Sequence, residues 1–404
     1  MENTFIPFET ALSILETHKD HFPIETRSLQ DSVGAYLAED LIADRDFPPF
    51  DRVTMDGICI SYRAFELGQR EFTIEATAPA GSPQQSLQNP LNCIEVMTGA
   101  IMPMQADTVI RYEDLTLNHG KATIHLNRLR YQQNIHFKGI DIAKGTRIVK
   151  KGHQLSSAEI NIAAAVGKAS LQVRRMPKTV ILSSGDELVT VEETPELHQI
   201  RRSNVYGIRN TLNEWGLTAD LKHLPDDKVK MHAIISELLK DYELLVFTGG
   251  VSKGKFDFLP DVLESLQVKK HFHKIQQRPG KPFWFGASSD DKKIFALPGN
   301  PVSAFVCVYI YLRFWLKKSL GITDNPLYVS LTKDVDFAPD LVYFLEAVLE
   351  SNPNGILLAT PIKGNGSGDY ANLVKTDGFL VLPQNKSNFR KGEVYPFVPY
   401  RNKF

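Results

Sequence analysis

The chain has 404 residues, and its 46 basic and 47 acidic side chains give a formal net charge of −1. Hydrophobic residues make up 43% and charged residues 23%, which excludes a disordered, collagen-like or coiled-coil chain and leaves about two to four globular domains. The near-neutral charge supplies no global field to hold nucleic acid or an anionic membrane, and three widely spaced cysteines, Cys59, Cys93 and Cys307, fit neither a disulfide framework nor a CxxC metal site and point to a reducing compartment.

The first residues carry no basic stretch followed by an apolar run, so no signal peptide is expected. Residues 8–18 (FETALSILETH) have helical spacing of apolar positions, and a Pro- and Asp-rich loop follows at 44–57. From Cys59 to about Val149, short β-branched runs such as FTIEATAPAG, NCIEVMTGA and DTVIRYEDLTL are bounded by Gly, Pro and Asn. They predict a β-rich module of about 100 residues. Residues 156–167 predict a helix with Ser156 or Ser157 as its cap and Gly167 at its end.

After Pro177 strands and helices alternate. TVILSS, LTADLKHL, ELLVFTGG and KKIFAL read as strands; NVYGIRNTLNEWG, DKVKMHAIISELLKDY, FDFLPDVLESL and PVSAFVCVYIYLRFWLKK read as helices. Ser203 or Asn204, Asp257 and Asn300 are the candidate caps. Alternation at these lengths implies βαβ crossovers and a parallel sheet, placed at 177–325. The last helix contains the most apolar stretch, 302–316, which is too short for a membrane span and is interrupted by Arg313. From Asn325 onward the runs are strand-like again and predict a small barrel or sandwich.

In an open parallel sheet, ligands bind beyond the carboxyl ends of the strands. Four loops sit there: Ser183 to Leu188, Pro225-Asp226-Asp227, Thr248 to Asp257, and Leu297 to Ser303. In the third, Gly249 and Gly250 let backbone N–H groups approach an anion, Ser252 adds a hydroxyl and Asp257 offers an Mg²⁺ ligand. The same residues also suit a tight turn and a helix cap. The carboxylates Asp186, Glu187, Asp226, Asp227 and Asp257 would gather at one edge. Together they repel one another unless a cation lies among them, and an oxygen-only set suits Mg²⁺ better than Zn²⁺. Arg278-Pro279-Gly280-Lys281-Pro282 is the basic complement, a phosphate or oxyanion binder or a rigid turn. Asp51 and Asp56 stand in a polar loop at 49–57 that serves either a site or a cap and a hairpin turn. Thr98-Gly99-Ala100 reads as a bend, and Gly364 to Gly368 as an anion cradle or a flexible loop.

The loops PPFDRVTMDG, MTGAIMPMQADTVIRYED, SSGDEL, FTGGVSKGKFD, RPGKP, LPGNPVSA and GNGSG stand in the order found in MoeA-type molybdopterin molybdenumtransferases, a family that includes the C-terminal domain of gephyrin, and the chain resembles that family from about residue 5 to 400. The resemblance implies four domains. They are an elongated N-terminal domain (1–45 and 147–176), a β-rich inserted domain (46–146), an α/β molybdopterin-binding domain similar to the small adenylylating proteins (177–325) and a C-terminal β-barrel (326–404). It also implies a cytoplasmic homodimer that takes molybdate and adenylylated molybdopterin, uses Mg²⁺, and releases AMP and the molybdenum cofactor. A molybdopterin-adenylylating protein and molybdoenzymes or cofactor carriers are the implied partners.

Carried over motif by motif, the implied site residues are Asp56, Thr98, Asp141, Glu187, Asp226 or Asp227, Asp257, Lys274, Arg278, Lys281 and Ser367. Asp186, Glu187 or Asp257 would hold the metal, Lys281 and Lys274 would neutralise oxyanions, and no protein nucleophile is required. The chain departs from the family pattern at Ser184 (usually Thr), Arg278 (usually Lys) and Glu346 (usually Arg), the last a charge reversal in the C-terminal region. The competing readings are a molybdopterin adenylyltransferase, a cofactor-binding scaffold and a tungstate-tuned relative.

Overall fold

The computed structural model describes residues 5–251, 257–323 and 325–401. The chain forms two compact units, one of Met1–Thr26, Gly34–Tyr36 and Gln172–Phe404, the other of Arg27–Val33 and Leu37–Leu171.

The larger unit is organised by a six-stranded sheet. Its strands lie in the order Ala219–Leu224, Thr179–Ser184, Leu244–Thr248, Lys293–Leu297, Trp284–Ala287, Lys269–His273. The first four are parallel, as the alternation predicts. The last two are antiparallel additions that the sequence reading does not foresee. Both faces of the parallel strands are covered. Ile181, Val246 and Phe295 face one core, and Val180, Leu182, Leu245, Phe247 and Ile294 face the other. Burial on both faces explains why these strands read as continuous apolar runs. Each such side chain contributes about 1.5–3 kcal/mol.

The apolar helix expected at 301–318 runs as Pro301–Cys307, a π-helical stretch Val308–Leu312, and Arg313–Leu320, closed by Gly321 in the left-handed region. It is a core helix: Tyr311 and Trp315 are fully buried, and the Trp315 indole donates to the His18 carbonyl at 3.0 Å. The N-terminal helix Phe8–Thr17 is thereby held against it. Among the described residues no helix is long and apolar enough to cross a membrane.

Beyond this helix, strands Val342–Ser351, Leu357–Pro361, Leu327–Leu331, Val394–Pro399 and Gly378–Leu382 pair in turn, and the last returns to the first. The ring is a closed five-stranded barrel filled by Val329, Leu345, Leu380, Phe389 and Phe397. A short helix, Tyr370–Lys375, is an addition to the sequence expectation.

The smaller unit is built on a sheet in the order Thr108–Arg111, Gly57–Ile60, Asn92–Val96, Glu71–Ala78, Lys121–Ile124, Leu115–Asn118. Its helix Ser157–Ala165 is capped by Ser156, one of the two caps the sequence predicts, and Glu159 completes a capping box.

Where the N-terminal helix ends, the rings of His18 and His271 lie 3.7 Å apart beside Phe285. Lys293 is 1% exposed next to them and pairs with Asp20 at 2.7 Å and Asp291 at 2.6 Å. Burial, then the His18 ring and nearby lysines, push the His271 imidazole down to about 4 from its ordinary 6.5. Burial and Lys293 lower His18 as well. The fold therefore favours neutral rings, while the unfolded chain takes up protons below about pH 6.5, so this local contribution is complete above that pH and is lost as pH falls toward 4. Urea unfolding of wild type and His271→Gln between about pH 7 and pH 5 tests this. The variant should lose less stability on acidification, and parallel pH profiles would remove the histidine pair as the cause.

Candidate active site

Four strand ends supply the walls of a cavity of about 490 Å³. Ser184, Gly185 and Glu187 follow Thr179–Ser184; Asp226 follows Ala219–Leu224; Gly249, Gly250 and Asp257 follow Leu244–Thr248; Pro298, Gly299 and Asn300 follow Lys293–Leu297. This is the crevice that the sheet topology calls for. Gly250 has φ +73, and a Cβ there would stand 3.0 Å from the Ser184 hydroxyl, so the glycine loop lies directly on the first loop. Gly185 has φ +129, and a Cβ there would occupy the place of the Glu187 carboxylate. Asn204, the first residue of helix Asn204–Glu214, ties two loops together: its side-chain amide donates to Thr248 Oγ1 at 2.9 Å and to the Gly299 carbonyl at 2.8 Å. The sequence reading had made it a cap candidate.

The carboxylates divide by role. Glu187, Asp226 and Asp257 line the cavity. Asp186 is engaged with Asp226, each carboxylate accepting from the other's backbone N–H, at 3.1 and 3.3 Å. Asp227 caps helix Lys228–Asp241. It accepts from the N–H groups of Val229 and Lys230, both at 3.0 Å, and these bonds hold its carboxyl below the usual range. Asp257 does not occupy the N-cap position expected of it; helix Leu259–Ser265 has Phe258 there. Ser252 lies outside the described residues. Among the described residues no three His, Cys, Asp or Glu side chains form a group that could hold a metal by themselves.

A second cavity, of about 660 Å³, adjoins the first through the shared walls Pro282, Pro298 and Asn300. Arg278, Lys281, Lys363 and the loop Gly364 to Ser367 line it. The RPGKP segment is fastened to the barrel, because Gln277–Arg278 pairs with Val342 and Tyr343. The Gln277 amide also donates to the carbonyls of Pro279 and Gly280 at 3.0 and 3.1 Å. Asn300 makes no side-chain cap bond, against expectation. Its amide donates instead to Ser367 Oγ at 2.8 Å, and the Val302 N–H donates to the Ser367 carbonyl at 3.1 Å. The glycine-rich loop is thus anchored on a helix start rather than free.

Glu346 is 6% exposed in the wall of this second cavity. Burial holds its carboxyl above the usual range, so the charge reversal read from the sequence is weaker than the residue type implies. Lys274 is 7% exposed, has φ +79 and lines neither cavity, but its ammonium lies over the Phe5 ring, as that of Lys281 does.

In the smaller unit, Asp56 Oδ1 accepts from the Thr98 N–H at 2.6 Å, which holds its carboxyl low. A Cβ on the adjoining Gly57 would strike the Ile110 carbonyl. Asp141 meets His136 Nε2 at 2.9 Å. The three cysteines are buried, and burial pushes every thiol up, Cys93 to about 12, so none is poised for nucleophilic attack.

The sequence reading missed Arg202 and His223. Arg202 lines the first cavity. His223 Nδ1 lies 2.9 Å from Ser183 Oγ, and burial followed by Arg202 lowers its pKa. The available signal was the pair Arg201-Arg202 directly before a helix start.

Three family descriptions match the chain in order: MoeA N-terminal region (domain I and II) over residues 6–167, probable molybdopterin binding domain over 180–318, and MoeA C-terminal region (domain IV) over 328–400. The chain is 38% identical over 398 residues to a molybdopterin molybdenumtransferase of Synechocystis, spanning 98% of this chain and 100% of that protein. It is 31% identical to the protein of that name from Bacillus subtilis, over 97% and 93% of the two chains. A crystal structure of the molybdopterin biosynthesis moeA protein from Pyrococcus horikoshii superposes with a TM-score of 0.82 at 26% identity, covering 98% of this chain and 100% of the other.

The two adjacent aspartates after Leu224 should separate experimentally. Asp227→Ala should cost about 1 kcal/mol in urea unfolding through the lost cap. Asp226→Asn should stay within about 0.5 kcal/mol of wild type. Equal losses would mean that the two share one structural role.

Proposed function

The chain belongs to the MoeA family, and we propose that it inserts molybdenum from molybdate into adenylylated molybdopterin, releasing AMP and the molybdenum cofactor. The observation that carries this reading is the pair of adjoining cavities with different endowments. One is lined by Glu187, Asp226, Asp257 and a glycine loop together with Arg201 and Arg202, the other by Arg278, Lys281 and Lys363 with the buried Glu346. A phosphate-bearing pterin suits the first, where the loop at Gly249 and Gly250 would let it approach the backbone closely. Molybdate, a tetrahedral dianion, suits the second, with Lys281 as a point charge, Arg278 as a planar fork and Ser367 as a hydroxyl donor. The shared wall would keep the two reactants adjacent, which makes the exchange effectively unimolecular.

The donor set of the first cavity fits Mg²⁺, since it is made of oxygens only. Glu187 or Asp257 is the residue that would hold the ion. Mg²⁺ commonly takes one or two carboxylates and completes its shell with water and substrate phosphate, which accords with a set that is incomplete on its own. Bound there, it would polarise the adenylate phosphate. Asp186, occupied with the Asp226 backbone, would orient the loop. Asp56, Thr98 and Asp141 enter the reading as substrate-handling residues of the smaller unit. A homodimer is the proposed assembly, and an adenylylating protein the supplier of substrate.

The test combines the purified protein, adenylylated molybdopterin, Mg²⁺ and molybdate, with release of AMP as the readout. Wild type should release AMP only when molybdate is present. Glu187→Ala and Asp257→Ala should each lower kcat by roughly 100-fold or more. Lys281→Ala should raise the molybdate requirement by roughly 10-fold with a smaller change in kcat. Adenylylation of molybdopterin from ATP, or cofactor formation that survives both carboxylate substitutions, would overturn the reading.

A further inference from the structure

The first cavity holds one group that neither the strand-end loops nor the family motifs account for. Arg202 lines it, and its Nε is buried without a hydrogen-bond partner. A desolvated guanidinium N–H left unpaired is costly, more so than a neutral donor. The fold nevertheless holds the residue in place. Leu188–Val189 and Ile200–Arg201 form a two-stranded parallel pair, and the Arg202 N–H donates to the Val189 carbonyl at 3.0 Å. Its neighbour Arg201 also lines the cavity, with Nε donating to the Glu193 carbonyl at 3.0 Å.

Helix Asn204–Glu214 starts just after Arg202, with Ser203 at its N-cap making no side-chain cap bond. Ser203 and Asn204 line the same cavity, and a helix start carries a positive partial charge that favours an anion. The remaining basic residues discussed above do not compete for this role, because Arg278, Lys281 and Lys363 line the adjoining cavity instead.

We infer that Arg202 is an anion-anchoring residue of the first cavity and takes a phosphoryl oxygen of a bound organic phosphate or pyrophosphate. The inference rests on the function proposed above, since it gives that cavity's phosphate-bearing ligand a cationic partner. The anchor lines the same cavity as the carboxylates. A ligand whose phosphate bridges Arg202 and an Mg²⁺ held by Glu187 or Asp257 would satisfy both charge sets at once, whereas a neutral ligand would leave the Arg202 donor unpaired.

Calorimetric titration with inorganic pyrophosphate in the presence of Mg²⁺ tests this without any pterin. Arg202→Gln should weaken binding by roughly 10- to 100-fold, the range of one charge-assisted hydrogen bond. Arg202→Lys should recover part of the loss, since charge returns without the planar fork. Lys281→Ala should leave pyrophosphate affinity within about threefold of wild type, because it lines the other cavity. Unchanged affinity in Arg202→Gln, with an unfolding midpoint shifted in both Arg202 variants, would make the residue purely structural and end the inference. Loss of binding in Lys281→Ala but not in Arg202→Gln would place the phosphate in the other cavity and likewise end it. A wild type that binds pyrophosphate through Arg202 yet releases no AMP would overturn the proposed reaction and leave this assignment standing.

Discussion

Two asparagine side chains hold the chemistry-bearing loops of the larger unit together. Asn204 bridges the loop after Leu244–Thr248 to the loop after Lys293–Leu297, and Asn300 bridges the latter to the glycine-rich loop of the barrel. Strand-end loops have no ladder of their own, so their mutual positions depend on such side-chain bonds. Each bond contributes only about 1 kcal/mol of net stability. Its larger effect is geometric, since it fixes the shared wall of Pro298 and Asn300 from both sides. A sheet edge that would otherwise present one broad crevice presents two bounded cavities.

That division answers an electrostatic problem. A dianionic oxyanion and a carboxylate 4 Å apart repel by several kcal/mol at an effective dielectric of about 20. Gathering all the acids and all the bases in one pocket would let them neutralise each other and leave nothing for ligands. Here Glu187, Asp226 and Asp257 line one space while Arg278, Lys281 and Lys363 line the next. Each space holds an exception: Arg201 and Arg202 stand among the acids of the first, and Glu346 stands on the basic side, where burial disfavours its charged form.

Much of this was legible in the sequence. Four parallel strands, their helices, the Ser156 cap and the four strand-end loops follow from apolar runs, helix periodicity and Gly/Pro punctuation. The antiparallel strands Lys269–His273 and Trp284–Ala287 were not legible. KKHFH is polar and sits at the sheet edge, and WFGA is too short to show a period. Three-dimensional choices were also hidden. Asp226 and Asp227 are equivalent in sequence, yet one lines a cavity and the other caps a helix. Lys274 and Lys281 look alike as basic residues around one motif, yet the first is buried and lines neither cavity while the second lines one. Asn300 satisfies every sequence rule for a cap and spends its amide on Ser367 instead. In each case a local rule offered two partners for one polar group, and a residue distant in sequence decided between them.

The same logic explains why Arg202 escaped the motif reading. A functional motif is recognised by residues whose local backbone is unusual, such as glycines with positive φ or prolines that stiffen a turn. Arg202 needs neither. It is delivered by a small excursion, residues 188 to 201, whose ends pair in parallel and return the chain to the cavity. The excursion carries exposed apolar residues, Leu197 and Ile200 among them, so its conformation is set by a few hydrogen bonds rather than by a core. Segments of that kind lie at the low-stability end of a fold. Arg202 is fixed there through its backbone, by the parallel pair and its own N–H on the Val189 carbonyl. The floor of the crevice and its cation are therefore positioned by different means, and only the floor is written in the residue types that short motifs record.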